Sequence, residues 1–585
     1  MEGREPVGCA IEIVARGVQL PISPDHAGRA LVDLLCAHGV SVVFGLPGGQ
    51  TNALYDGIAG DDRIRHIDVL DERSAAYAAD AYARLTGRVG VCDATVGPGT
   101  AKLPSGLGEA FNSSIPVLAI VSDLPQTTDS RRYRGATSQA LDQEALLRPV
   151  TKWVGVVRRP DDLGPIVRQA FREATSGRPG PVAVIVPQNI LDGPPPDDSQ
   201  VEDIHAARFG RFPSTTARPD PDDVAAISSI LAAAKRPLLI IGGGANRGGI
   251  GAEVNRMIGA GVAVATTLSG KGAADERADM VVGVLGSLGN PAASALAAEA
   301  DVLILAGTKW GSGTTAGWAL PVPGQRVIHI DIDPVELGRD QPVAAIACAD
   351  ALATLAAIDP AGVEREDWCV RVAEIKSTWL ERRAGLWSSS AVPVDPQRVM
   401  GELNRVITPD DVVIADASLA SGWVGAFIES GDPGPRTLFP RGLAGLGWAI
   451  PAAIGAIEAG ASRVVAVMGD GAAPYAIGEL ATLVRRGAPV LLVVLNNSSY
   501  GWIRWYRRVA FGRGWEEPDL PETRFADVAS AYGLRSVRVE QLEDLGEAIG
   551  GEVDGPTLVE VVTSVWETPI DAHRDALERD EHADY

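Results

Sequence analysis

From Asp25 onward, short runs of β-branched and other apolar residues alternate with Ala/Leu-rich stretches of helical period. That alternation predicts parallel strands joined by crossover helices, an α/β class. In the first third it predicts strands ending at Phe44, Thr95, Val121 and Val186. Glycine- and proline-rich turns such as Gly45-Leu46-Pro47-Gly48-Gly49 and Gly97-Pro98-Gly99 follow, and turns of this kind mark the carboxyl edge of a sheet, where ligands gather. Residues 191–222 are rich in Pro, Asp and Ser and lack periodicity, so they predict a linker. A second unit has strand patterns within 237–244, 302–307 and 326–333, and a charged helical stretch near 364–383 leads to a third, with strands near 412–415, 464–468, 490–495 and 557–562. The predicted organisation is three doubly wound parallel-sheet domains at 25–190, 223–360 and 393–570, with a tail over 1–24, a helical linker over 361–392 and a charged tail over 571–585.

Composition narrows the function. In 585 residues, 46% are hydrophobic and 22% charged, enough apolar material for several buried cores and no sign of disorder. A formal net charge of −23 argues against a surface built to neutralise nucleic-acid phosphates or anionic lipid, so a small-molecule substrate is expected. Apolar runs such as 490–495 are strand-length, far short of a membrane span. Charged residues from Glu2 to Arg16 interrupt any signal-peptide core, and the protein is expected in the cytoplasm. The five cysteines form neither a disulfide framework nor a metal pair and are expected to be reduced packing residues.

The most informative segment is a strand ending in Gly469-Asp470-Gly471, then a helix, a second strand and Asn496-Asn497. Asp470 and Asn497, 27 residues apart, would lie side by side at a sheet edge and offer oxygens to Mg²⁺, which also takes water and phosphate oxygens. The glycines allow a backbone to approach a diphosphate at a helix N-terminus. Either dipeptide alone is an ordinary turn signal. A second string runs from Asp71-Glu72 through an Ala-rich helix to Gly87, followed by Val96-Gly97-Pro98-Gly99; by default a glutamate there is a favourable charge at a helix start. A third is Arg441-Gly442-Leu443-Ala444-Gly445-Leu446-Gly447-Trp448.

Together, and in this order over roughly residues 25–560, these strings resemble the thiamine-diphosphate-dependent enzymes, in particular the acetolactate-synthase-like branch. The resemblance implies a pyrimidine-binding, a central and a diphosphate-binding domain. It implies that Glu72 hydrogen-bonds the pyrimidine of thiamine diphosphate, with Gln139 at the position of an active-site glutamine. Leu446 would bend the cofactor and the Ala444 carbonyl would receive its amine, with Asp470, Gly471, Ala472 and Asn497 at the diphosphate and Asp470, Asn497 and Ser499 at Mg²⁺. In relatives the site lies between subunits, so a homodimer or homotetramer is implied. The central unit carries Ile241-Gly242-Gly243-Gly244 and His329-Ile330-Asp331, a weak nucleotide signature in which Gly243, Gly244 and Asp331 would face FAD.

Three positions depart from acetolactate synthases. Gly313 stands where they have an arginine, Gln188 where they have a lysine, and Tyr506 where they have a tryptophan. The expected activity is a carboligase that decarboxylates a pyruvate-like 2-oxo acid and transfers the acyl unit to a second carbonyl. The alternatives are a 2-oxo acid decarboxylase or lyase, or a flavin-dependent oxidase of the same fold. Decarboxylases of the family place histidines at the site as proton donors. None of this chain's seven histidines falls in the cofactor motifs, which favours ligation.

Overall fold

The computed structural model describes residues 24–132, 135–197, 204–431, 433–512, 520–551 and 553–569. Three six-stranded parallel sheets follow one another along the chain. The first contains β1 (Val42–Gly45), β2 (Arg65–Asp68), β3 (Gly90–Ala94), β4 (Val117–Asp123), β5 (Trp153–Val156) and β6 (Val182–Pro187), in the order β2-β1-β3-β4-β6-β5. The second contains β7 (Pro237–Ile241), β8 (Ala263–Thr266), β9 (Val281–Val284), β10 (Val302–Ala306), β11 (Arg326–Asp331) and β12 (Ala345–Cys348), in the order β12-β11-β10-β7-β8-β9. The third contains β13 (Val412–Ala415), β14 (Thr437–Leu438), β15 (Val464–Gly469), β16 (Val490–Asn496), β17 (Arg535–Val539) and β18 (Thr557–Val562), in the order β14-β13-β15-β16-β18-β17. The strand order reverses between β1 and β3, between β10 and β7, and between β13 and β15, and ligands of open α/β sheets bind at such switch points.

The Ala-rich composition of helix Glu72–Thr86 has a packing cause. This helix lies against helix Ala449–Glu458 of the third unit, so closely that a Cβ on Gly455 would stand 2.1 Å from the Ala78 carbonyl oxygen. Side chains larger than alanine would hold the two backbones apart. The result is one apolar core shared by the first and third units, including Ala75, Ala78, Ala79, Ile450 and Ile454. The central unit is joined to the first by Arg178, which reaches Glu336 at 2.7 Å, and to the third by Glu276, whose N–H donates to the Ser430 carbonyl at 3.0 Å.

The apolar runs foretell the interior strands to within three residues. They do not mark β8 or the six edge strands, β2, β5, β9, β12, β14 and β17. Edge strands pair on one side only, and β2 (Arg-His-Ile-Asp) and β17 (Arg-Ser-Val-Arg-Val) are too polar to read as buried runs. The stretch 191–222 is not wholly irregular, since Ala206–Phe209 is helical and Arg211 bridges to Arg88. Of the cysteines in the described residues, all free, Cys92 is buried but Cys348 is exposed, so the packing role fails for Cys348. Cys9 and the predicted tails over 1–24 and 571–585, Pro24 excepted, lie outside the described residues. No helix among the described residues is long and apolar enough to cross a membrane.

Candidate active site

At the switch point of the third sheet the loops after β13 and β15 part around a cavity of about 190 Å³. Leu446, Asp470, Gly471, Ala472, Asn497 and Ser499 all line it. In-register pairing of β15 with β16, from Val464–Val490 to Gly469–Leu495, sets Asp470 beside the Asn496-Asn497 turn. The Asp470 carboxylate accepts N–H groups from Gly471 (2.8 Å), Asn497 (3.1 Å) and Ser499 (3.2 Å). Burial still pushes its pKa up to about 6 against these backbone donors. A buried anion of this kind suits a divalent cation, which reverses the electrostatic cost of keeping it charged. Among the described residues no cluster of three or more His, Cys, Asp or Glu side chains could hold a metal unaided. The set of Asp470, Asn497 and Ser499 fits Mg²⁺ completed by water and phosphate oxygens.

Sequence reasoning missed the opposite wall. Ser418, Leu419 and Ala420 line the cavity at the start of helix Leu419–Phe427, with Ser418 at φ +68. The positive end of that helix favours an anion. Its sequence signal, a strand ending before Asp416-Ala417-Ser418, has no distinctive glycine or charge pattern.

The loop that carries Leu446 is held by two buried carboxylates. Gly442, Leu443 and Ala444 donate their N–H groups to Glu109 of the first unit at 2.7, 2.8 and 3.1 Å, and Arg84 and Ser113 donate to the same carboxylate at 3.2 and 2.8 Å. Asp416 accepts N–H groups from Gly447 (3.0 Å) and Ala449 (2.8 Å) and is pushed up to about 6 by burial. Between these anchors Ala444 sits at φ +54, a conformation costing a non-glycine residue about 1 kcal/mol or more.

Glu72 and Gln139 lie at the carboxyl edge of the first sheet. Glu72 opens helix Glu72–Thr86, whose N-cap Asp71 accepts the Arg73 N–H, and it is 3% exposed. Its Oε2 has no hydrogen-bond partner, although the Lys102 ammonium stands 3.4 Å away. Gly99 makes room for it, since a Cβ there would lie 2.8 Å from Glu72 Oε1. Thr95, beside Gly99, donates to Gln50 (3.0 Å), and Gln50 donates to Gln139 (3.3 Å). Gln139 is exposed, at φ +66; the buried glutamine is Gln143, which accepts the Gly97 N–H at 3.2 Å. Neither Glu72 nor Gln139 is among the residues lining the cavity around Asp470.

At the switch point of the central sheet the loops after β7 and β10 pack against each other. The Gly244 N–H donates to the Gly307 carbonyl at 3.1 Å, and a Cβ on Gly242 would stand 2.2 Å from that oxygen. Gly243 faces Ser269. Asp331 accepts the Asp333 N–H at 2.9 Å, and burial pushes it up to about 6. Of the nearby cations, Arg247 is paired with Asp350 and Lys271 with Glu276. Gly242 and Asp331 are enclosed by the protein, whereas Gly243 and Gly244 keep an open face toward solvent. Tyr506 is exposed on helix Gly501–Phe511 and does not line the cavity.

Residues 25–146, 224–358 and 416–561 match, in turn, the N-terminal TPP binding domain, the central domain and the C-terminal TPP binding domain of thiamine pyrophosphate enzymes. The chain is 32% identical over 550 residues to the acetolactate synthase large subunit of Parasynechococcus marenigrum, covering 90% of this chain and 85% of the relative. It is 30% identical over 552 residues to the probable acetolactate synthase large subunit of Methanocaldococcus jannaschii, covering 91% of each. Against an acetolactate synthase of Mycobacterium bovis it is 32% identical over 540 residues, covering 89% of this chain and 85% of the relative.

Proposed function

We propose, for a chain that belongs to the thiamine pyrophosphate enzyme family and resembles acetolactate synthases along its length, a thiamine-diphosphate- and Mg²⁺-dependent carboligase acting on a pyruvate-like 2-oxo acid. The observation that carries this reading is the cavity at the third switch point, where Asp470, Asn497 and Ser499 face Leu446 and the start of helix Leu419–Phe427. When bound, thiamine diphosphate supplies a nucleophilic carbon and the electron sink for decarboxylation. Asp470, Asn497 and Ser499 would hold Mg²⁺ against the diphosphate, and Gly471 and Ala472 would let the backbone close on it. Leu446 would fix the cofactor's bend, with the Ala444 carbonyl receiving its amine.

Glu72 holds or yields the proton at Oε2, the oxygen its own chain leaves without a hydrogen-bond partner. Because Glu72 and Gln139 do not line the cavity of their own chain, we assign them to the cavity of a second copy, in a homodimer or a dimer of dimers. No step of this reading runs through a flavin. No imidazole lines the cavity among the described residues, which favours ligation over protonation to free aldehyde. Product analysis with pyruvate, thiamine diphosphate and Mg²⁺ tests this. A ligated product should dominate when a second carbonyl is in excess, and free acetaldehyde as the main product would refute it.

A further inference from the structure

Lys102 stands near the start of helix Pro98–Ser113, at the end whose dipole favours negative charge, so the helix itself gives a cation there no support. Two carboxylates at the start of the facing helix supply it. The Lys102 ammonium lies 3.2 Å from Oδ2 of Asp71, the N-cap of helix Glu72–Thr86, and 3.4 Å from Oε2 of Glu72. Burial pulls the Lys102 pKa down, but the two carboxylates outweigh it and hold the ammonium above its usual range.

The two carboxylates differ in what else they meet. Asp71 accepts the Arg73 N–H at 2.9 Å through Oδ1, which leaves Oδ2 to anchor Lys102. Glu72 is buried and its Oε2 has no hydrogen-bond partner; Lys102 is its one ion-pair partner among the described residues. The other charges nearby are engaged with the third unit. Arg73 donates to the Tyr475 carbonyl, and Glu479 accepts the Leu70 N–H at 3.0 Å and the Thr482 hydroxyl at 2.7 Å. A buried carboxylate oxygen without a donor depends on the nearest cation to bear its charge.

We propose that Lys102 is a positioning residue for proton transfer by Glu72: anchored on Asp71, it carries the charge left on Oε2 when the Glu72 proton passes to the pyrimidine ring nitrogen of thiamine diphosphate. The O–H bond of the acid breaks, an N–H bond forms on the ring, and the electron pair stays on Oε2 beside the ammonium. This rests on the reading of Glu72 as the proton carrier. The test uses the holoenzyme with Mg²⁺ and pyruvate. Lys102→Met removes the charge and keeps a long side chain, so kcat should fall about three- to tenfold while KM for pyruvate stays within about twofold. The near-ultraviolet circular-dichroism band of the imino form of the bound cofactor should weaken by a similar factor, because Oε2 then keeps its proton. Lys102→Arg restores a cation and should bring both readings back to within about twofold of wild type. Added to Glu72→Gln, which has no charge to carry, Lys102→Met should cost less than about a further twofold, whereas a purely structural role would cost the same in both backgrounds. Equal losses in the two backgrounds, or wild-type kcat and dichroism in Lys102→Met alone, would overturn the assignment. A Glu72→Gln enzyme that turns over at the wild-type rate would overturn the reading of Glu72 and this inference with it.

Discussion

The central and third sheets share six parallel strands, a switch point and a glycine-rich strand exit, yet one edge is partly closed by the chain itself and the other is open. After β7, Gly242 and Gly244 are small because the loop after β10 presses on them, backbone to backbone. After β15, a Cβ on Gly469 would meet nothing within 4 Å, and one on Gly471 would first meet the Tyr500 ring, at 3.2 Å, and then the tip of Leu520, at 3.8 Å. Each edge also holds an aspartate pushed up to about 6 by burial, Asp331 in one and Asp470 in the other. Neither glycine content nor a perturbed carboxylate separates a binding edge from a packing edge. What separates them is whether the space that glycine leaves is filled by the chain itself.

The sharpest break of this comparison is Asp470→Ala. It removes the one acidic side chain in the proposed Mg²⁺ set, and Mg²⁺-dependent binding of thiamine diphosphate should be lost, by about 100-fold or more in Kd. Calorimetry that returned wild-type affinity would make the open edge no more functional than the closed one. Glu72→Gln acts from the first sheet and should leave cofactor affinity within a few-fold. Turnover should fall by about 10²- to 10⁴-fold, because an amide cannot carry the same proton traffic. Steady-state rates close to wild type would remove Glu72 from the chemistry.

A matched pair of glycine substitutions divides the two edges more finely. Gly471→Ala meets the exposed Tyr500 ring, which can turn aside, so the protein should fold while the added methyl narrows the cavity and weakens cofactor binding about tenfold. Gly242→Ala sets a Cβ 2.2 Å from the Gly307 carbonyl oxygen, where only backbone could yield. That should cost about 1–3 kcal/mol of stability and leave the affinity of the folded enzyme alone. Denaturant titration and calorimetry on both variants would blur the distinction if the losses fell the other way round.

Much of the third edge was legible because its parts are local. Gly469-Asp470-Gly471 and Asn496-Asn497 each terminate a buried strand, and the apolar runs 464–468 and 490–495 declare those strands. Residues that act across long separations left no such mark. Glu109 reads as one acid in a helix, and only the fold brings it under the 442–444 amides, more than 300 positions away. The choice between glutamines illustrates the same limit. Gln139 and Gln143 sit four residues apart, and nothing in their spacing tells that Gln143 is buried under the Gly97 loop while Gln139 faces out. Gly243 and Gly244 are ambiguous in sequence because a glycine tolerates a neighbouring backbone as readily as a phosphate.

The smallest expected effect on function comes from Asp331→Asn, the counterpart of Asp470→Ala. Asp331 accepts one backbone N–H and stands near the carboxylates of Asp333 and Glu336, so burial and like charge outweigh the help from Arg178. Its folded pKa, about 6, lies above the roughly 3.9 of an unfolded aspartate. Between those values the native state binds the proton and the unfolded state does not, so this group's contribution to stability falls as pH rises from about 4 to 6 and stays low above that. A carboxamide in its place carries no charge to bury. The variant should therefore be more stable than wild type by about 1–3 kcal/mol at pH 7, with the advantage vanishing toward pH 4. Cofactor content and turnover should not change. Urea melts at about pH 4.5 and pH 7 measure the difference, and a variant that lost stability at pH 7, or lost activity, would show that the closed edge needs its charge as the open one does.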